Sequence, residues 1–427
     1  MKGKTTMTTN SLRSLLYSLC FLLMAAMGFA QPPLDESSGW INVREVGAKG
    51  DGETNDLAAF EKAMAQAAAL GGGIVWVPPG NYLIDGHLDV PRSVVIKGIF
   101  EAPIARTQMT GSTLLAVQGE GEPDGEPFIT LHDNSTLKGL TIFYPRQTMT
   151  NPPKPYPWTI RGRGDNCSLV DVLLVNPYQA VDFGTFPAGR HYIKNLYAQP
   201  LFKGIFVDQC YDIGRIEDVH LWPFWGGWEG DLGRFTREKG TAFIFGRTDW
   251  EYVQNCFCIG FSVGYHFIST KAGQPNVVLT QSGSDIGPVA VLVDGTQAHA
   301  GISFSNSQFM SSVIVSASNQ GPVKFTGCGF WGIETTDHHA EIEGTGTVTF
   351  TGCHFINWGR KNPDAPALWV KSGAVIVNGC EFIDPKPQVR LDKDVISAVI
   401  FGNRLRGGNK IRNDSTGQVE IGFNTQE

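Results

Sequence analysis

From Ser135 onward the chain repeats one short pattern of apolar and polar positions. A stretch of alternation leads into a small or polar residue, followed by an inward, an outward and another inward position. STLKGLTI (Ser135 to Ile142), SLVDVLL (Ser168 to Leu174), YIKNLYA (Tyr192 to Ala198), RIEDVHL (Arg215 to Leu221), YVQNCFC (Tyr252 to Cys258), SFSNSQF (Ser303 to Phe309) and VIFGNRL (Val399 to Leu405) all fit it. TGCGF, TGCHF and NGCEF, starting at Thr326, Thr351 and Asn378, are its most regular copies. Alternation of period two predicts strands. Most copies recur every ~21 to 27 residues, a period that marks a solenoid. Each unit holds short strands and no helical pattern, so it can bury its apolar faces only against its neighbours.

Stacked coils lie ~4.8 Å apart, which lines equivalent residues into ladders. One ladder reads Leu140, Val172, Leu196, Val219, Cys256, Ser307, Cys328, Cys353, Cys380, Asn403. Cysteine alternates there with Leu and Val, as a small buried hydrophobe does. A zinc site would need four converging ligands, yet His354 follows Cys353 directly and points to the other side of its strand. A disulfide between stacked rungs would be strained.

Two segments break the strand pattern. In NVREVGAKGDGETNDLAAFEKAMAQAAALGGGIVWVPPGNYLI, Leu57, Phe60, Met64 and Ala67 or Ala68 fall at helical spacing. Thr54 or Asn55 can cap the start and Gly71 can end it, and a strand, a Pro-Gly turn and a second strand come next. A helix here would cover the open end of the stack. Residues 1–30 instead pair Lys2, Lys4 and Arg13 with an apolar run ending in small residues, which reads as a signal peptide cut after Ala30. The expectation is a secreted or periplasmic protein with no membrane attachment after cleavage. Residues 31–427 would form one domain, with 41–100 as cap and first coils and 220–240 as a loop insertion.

The GAKGDGETND and GGGIVWVPPGNYLI stretches resemble the opening of the pectate lyase superfamily, the group that includes rhamnogalacturonase and epimerase-like domains. The resemblance implies an all-β, right-handed parallel β-helix with an N-terminal capping α-helix. It also implies a polysaccharide substrate, cleaved by hydrolysis with two carboxylates or by β-elimination, with calcium possible for a lyase; the residues themselves require no cofactor. The polygalacturonase motifs NTD, DD and GHG, due near Gln179, Lys203 and Val263, are absent, so no catalytic residue carries over.

Composition adds an exclusion. The formal charge is −7 with basic residues scattered, which offers no stripe for nucleic acid. High Gly (51) and Phe (26) suit tight turns and strands.

Candidate chemistry lies among outward polar groups on the strands ending near Phe183, Val207, Phe245 and Phe267. Asp182 and His266 share an outward position about three rungs, or ~14 Å, apart. Asp208 and Asp249 fall just past two middle rungs, with Arg247 and Lys203 on nearby turns. Together these can supply an acid, a base or nucleophile and cations for a uronate, although Asp is also a common turn residue. A second cluster, from His220 to Gly240, carries Trp222, Trp225 and Trp228 beside Glu229, Asp231 and Arg234. It reads either as a sugar-stacking loop or as aromatics tucking an insertion onto the coil. His220 should touch Tyr197 on the adjacent rung. Carboxylates outnumber strand-borne cations, which leans toward a hydrolase; the alternative is a non-catalytic glycan-binding or structural β-helix.

Overall fold

The computed structural model describes residues 39–104 and 109–427. The expected signal segment lies outside the described residues. Among the described residues, the chain from Trp40 onward forms a parallel β-helix of about 15 turns, all-β apart from two helices. Each coil contributes to up to three sheets. Sheet 1 runs from Trp40–Asn42 to Gln418–Gly422, sheet 2 from Asp51–Asn55 to Thr425–Gln426, and sheet 3 from Leu88–Val90 to Arg412–Asn413. Pairing within each sheet is parallel and in register over most rungs, for example Lys203↔Thr241, Ile205↔Phe243 and Val207↔Phe245 in sheet 3.

A single residue turns the chain from sheet 1 into sheet 2. That residue has positive φ in coil after coil: Gly139, Asp171, Asn195, Asp218, Asn255, Gln281, Asn306, Gly327, Gly352, Gly379 and Gly402. Only glycine and short polar side chains enter this conformation cheaply, which explains the small or polar residue in the repeat. Where it is Asn or Asp the side chains also link rungs, as Asn195 Nδ2 donates to Asp171 Oδ1 at 2.8 Å and Asn255 Nδ2 to Asp218 Oδ1 at 2.8 Å.

The next residue always turns inward. The ladder read from the sequence is therefore present, with one rung it omits: Ser282 stands between Cys256 and Ser307, because the strand Val277–Thr280 has no clear polar alternation. Ser282 and Ser307 hand hydrogen bonds along the ladder, their hydroxyls accepting from the backbone N–H of Cys256 and Ser282. The seven described cysteines are all free and buried. Thiols of Cys328, Cys353 and Cys380 point at carbonyl oxygens of their own turns. The neighbouring interior is a stack of rings, with Phe304, Phe325 and Phe350 nearly parallel at 5.4 and 5.2 Å, and Phe309, Phe330, Phe355 and Phe382 along the second sheet. Ring stacking at the rung spacing accounts for the high phenylalanine content.

Helix α1, Leu57–Ala69, buries Ala59, Phe60, Ala63, Met64 and Ala67 against the first coils, with Phe60 edge-on to Tyr82 at 5.5 Å. The cap residue is Asp56, one past the expected Thr54 or Asn55. Its carboxylate accepts the N–H groups of Lys49 and Gly50 instead of capping the helix, so the GAKGDG loop folds around it. Gly71 ends the helix with φ 86. Residues 334–339 are all polar in sequence, yet they are not all exposed. His339 is fully buried among Phe330, Phe355 and Trp358 because it precedes a sheet 3 strand and turns inward.

Candidate functional site

The outer face of sheet 3 carries the ladder Thr130, Arg161, Asp182, Phe206, Ile244, His266, Leu292, Ile314. Asp182 and His266 are thus three rungs apart, as expected, with two apolar rungs between them. Their settings differ. Asp182 is fully buried: Oδ2 accepts from Arg161 Nε at 2.6 Å, and Oδ1 accepts the N–H groups of Gly184 and Thr185. With its oxygens engaged in this way it clasps the sheet 3 turn to the preceding coil and is poorly placed for acid or base work.

His266 remains partly exposed. Its Nε2 lies 2.7 Å from Asp294 Oδ2, while Asp294 Oδ1 accepts from Ser316 Oγ at 2.6 Å. Nδ1 of His266 makes no hydrogen bond among the described residues. An imidazole whose Nε2–H is held by a carboxylate presents Nδ1 as a base, and the carboxylate stabilises the imidazolium that forms. Asp294 is absent from the sequence-derived candidates, yet it sits one residue past its strand just as Asp208 does, in the same Val-Asp step. Lys271, on the loop after His266, is exposed and has no ion-pair partner among the described residues.

At the corner from sheet 3 into sheet 1, Asp208, Arg247 and Asp249 come together as predicted, but as a brace. Asp208 Oδ1 accepts Arg247 N–H at 2.6 Å and Thr270 Oγ1 at 3.0 Å. Arg247 forks onto both oxygens of Asp249, which also receives Gln297 Nε2. A cleft of about 590 Å³ opens beside this brace, lined by Tyr211, Asp212, Asp249, Trp250, Asn276 and His299 among others. Tyr211 and Trp250 are 54% and 59% exposed, and Arg247 sits 5.8 Å from the Tyr211 ring. Trp250 has φ 55. It stands in a ladder position that other coils fill with Asn134, Asn166 and Arg190, also at positive φ. A bulky ring in the left-handed region is costly, and such strain concentrates where function holds it. Two exposed aromatics beside hydrogen-bonding groups form a surface on which a pyranose ring can stack.

The remaining predicted residues lie elsewhere. The 222–240 insertion joins sheet 2 to sheet 3, at the opposite end of the five-residue sheet 3 strand Lys203–Val207 from the Asp208 brace. At ~3.3 Å per residue that separates the two groups by roughly 17 Å. Trp222 and Trp225 pack with Phe143, Tyr197 and Phe224 over the outside of sheet 2. His220 stacks on Trp222 at 5.0 Å, meets Tyr197 at 6.2 Å as expected, and its pKa is lowered by burial. Trp228 holds Arg237 over its ring at 4.6 Å. Asp231 pairs with Arg234 at the start of helix α2, Asp231–Lys239, and Glu229 is exposed. Lys203 lies over Trp158 and Phe202 at 5.6 and 5.4 Å. For Trp222 and Trp225 the tucking alternative describes the geometry, because the outer face of sheet 2 is apolar here and needs covering.

Calcium takes an all-oxygen ligand set. Among the described residues, the convergent cluster of possible metal ligands is His191, Cys210 and Glu251, whose nitrogen and sulfur donors do not fit it.

Residues 40–143 match the family described as rhamnogalacturonase A/epimerase, pectate lyase-like. Over 64 residues the chain is 47% identical to alginate lyase 7 of Azotobacter vinelandii, a stretch that is 13% of this chain and 8% of that protein. The chain thus spans less than a tenth of that relative's length. Among solved structures, an N-terminal fragment of gene product 12 of bacteriophage phi29 aligns with a TM-score of 0.63 at 14% identity, covering 95% of this chain and 75% of the fragment. The A-module of mannuronan C-5 epimerase AlgE6 of Azotobacter vinelandii aligns with a TM-score of 0.52 at 14% identity, covering 90% of this chain and 99% of the module. At such identities the structural likeness establishes the fold alone.

Proposed function

We propose that this chain, a pectate lyase-like parallel β-helix, acts on an acidic polysaccharide laid across sheet 3, with His266 as the base that removes a proton from a uronate ring. The observation that carries this reading is the His266–Asp294 pair on the outer face, 2.7 Å apart, with Nδ1 left open. Two-carboxylate hydrolysis, toward which the composition leaned, loses support because Asp182, Asp208 and Asp249 are all engaged by cations or N–H and O–H donors. Proton abstraction next to a carboxylate needs one base and a cation to offset the developing charge; Lys271 is the available cation on the same coil. Elimination and epimerisation share that first step, and the reading extends to both. The aromatic cleft at Tyr211 and Trp250 would hold the sugar chain where it leaves the sheet. Arg247 lies about 11 Å from His266, counting three residues along the strand and one rung across, so the cleft is within two sugar units of the base.

The test is incubation of the purified chain with alginate, polygalacturonate and glycosaminoglycans, monitoring ultraviolet absorbance of unsaturated products and deuterium uptake at ring carbons. His266→Gln should lower either signal by about 10²-fold or more, and Asp294→Asn should lower it less. Full activity in His266→Gln would sink the reading. Binding without any product or exchange in the parent chain would favour the second reading, a non-catalytic glycan-binding β-helix, which the engaged carboxylates also support.

A further inference from the structure

Under the Tyr211–Trp250 cleft, the chain buries three groups that the proposed chemistry leaves unused. His191, Cys210 and Glu251 are fully enclosed, and a ligand atom from each lies within 4.8 Å of the others. Their placement comes from the coil. The inward ladder at the start of sheet 1 reads Cys167, His191, Gly214, Glu251, Val277, Ile302. Later rungs are aliphatic, so a histidine and a glutamate here require an explanation. They stand two rungs apart and meet across Gly214, where an added Cβ would fall 2.3 Å from Glu251 Oε2 and 2.6 Å from His191 Nε2.

Two of the three donor atoms face one another, while the Cys210 thiol points at Asp212 O at 3.1 Å. His191 Nδ1 faces Ala188 O at 2.8 Å, so that nitrogen carries hydrogen and Nε2 is directed at Glu251 Oε1, 2.8 Å away. Fixing one ring nitrogen on a backbone carbonyl is how ligating histidines are commonly held. Among the described residues Glu251 Oε2 has no hydrogen-bond partner although it is buried, and an unpartnered carboxylate oxygen in a core is expensive. Cys210 supplies the third donor. We infer that His191 Nε2, Cys210 Sγ and the Glu251 carboxylate bind one zinc(II) ion.

The ligand charges suit the site. A zinc(II) dication would be balanced by the Cys210 thiolate and the Glu251 carboxylate, so the filled site would carry no net charge in the core. The orphaned Oε2 would gain a partner. A mixed nitrogen, sulfur and oxygen set suits zinc rather than calcium or magnesium. The ion would tie three coils directly beneath the cleft, since Cys210 and Glu251 adjoin Tyr211 and Trp250. This assignment does not depend on the glycan reading.

Because the site is enclosed, the test refolds the purified chain with zinc, removes excess by gel filtration and measures bound metal. One zinc per chain and a raised melting temperature are expected. Refolding with cobalt(II) should give a thiolate-to-metal absorption band. Cys210→Ser, checked for folding by circular dichroism, should lose that band and weaken zinc binding by about tenfold or more. Substoichiometric zinc in the parent, or zinc uptake unchanged in Cys210→Ser, would overturn the assignment and leave a buried ion pair.

Discussion

A residue in this fold is answerable first to its ladder. Cys353 occupies a position held by Val172 and Val219 in other coils, so Cys353→Val should fit and Cys353→Ala should leave a small cavity. The expected costs are under ~1 kcal/mol for valine and about 1–2 kcal/mol for alanine, with product formation unchanged in both. Chemical unfolding with fixed slope would measure this. His339 gives a pH-dependent case. Burial pushes its pKa down to about 3, and Nδ1 has no partner among the described residues, so the folded chain holds the neutral ring. The unfolded ring takes up a proton near ~6.5. The folded pKa lies below the unfolded one, so this term leaves stability undiminished above ~6.5 and removes it as pH falls from ~6.5 toward about 3. His339→Phe should reduce the loss of melting temperature between about pH 7 and about pH 4; an unchanged loss would mean another group dominates.

Elements here are short strands and the turns between them, and insertions differ by the corner from which they leave. The 222–240 insertion covers apolar sheet 2, whereas Tyr211 and Trp250 are left open on the sheet 3 to sheet 1 corner. The two sites should therefore respond in opposite ways. Trp225→Ala should lower stability by about 1–3 kcal/mol and leave glycan affinity within about twofold, because the ring packs and does not bind. Trp250→Asn should instead raise stability by about 1 kcal/mol, since asparagine accepts the left-handed conformation, while weakening glycan affinity. Melting curves and glycan titration by tryptophan fluorescence would separate the two; equal behaviour would refute the assignment of roles. The left-handed slots themselves are legible in the sequence as a column of Gly, Asn and Asp before each inward residue. Trp250 breaks the pattern of small and polar residues at such turns and is the available signal for the cleft.

At the scale of the whole molecule, a stack of nearly equal coils turns sequence periodicity into three long faces. Periodicity by itself determined the solenoid, the strand segments, the inward ladder with its cysteines, and the outward ladder on which Asp182 and His266 lie three rungs apart. These obey local rules, since alternation sets which side of a strand a residue takes and the repeat sets which rung it joins. Tertiary structure alone decided which outward groups are free. Asp182 and Asp208 are engaged by Arg161 and by Arg247 N–H and Thr270, partners supplied by neighbouring coils or turns at unrelated spacing. Asp294 reaches His266 from the next rung. His191 and Glu251, separated by sixty positions in the chain, meet because the coils between them stack and a missing side chain at Gly214 leaves room. Each of these depends on insertion lengths and on what packs across a rung, and neither quantity is written in the local alternation of apolar and polar residues.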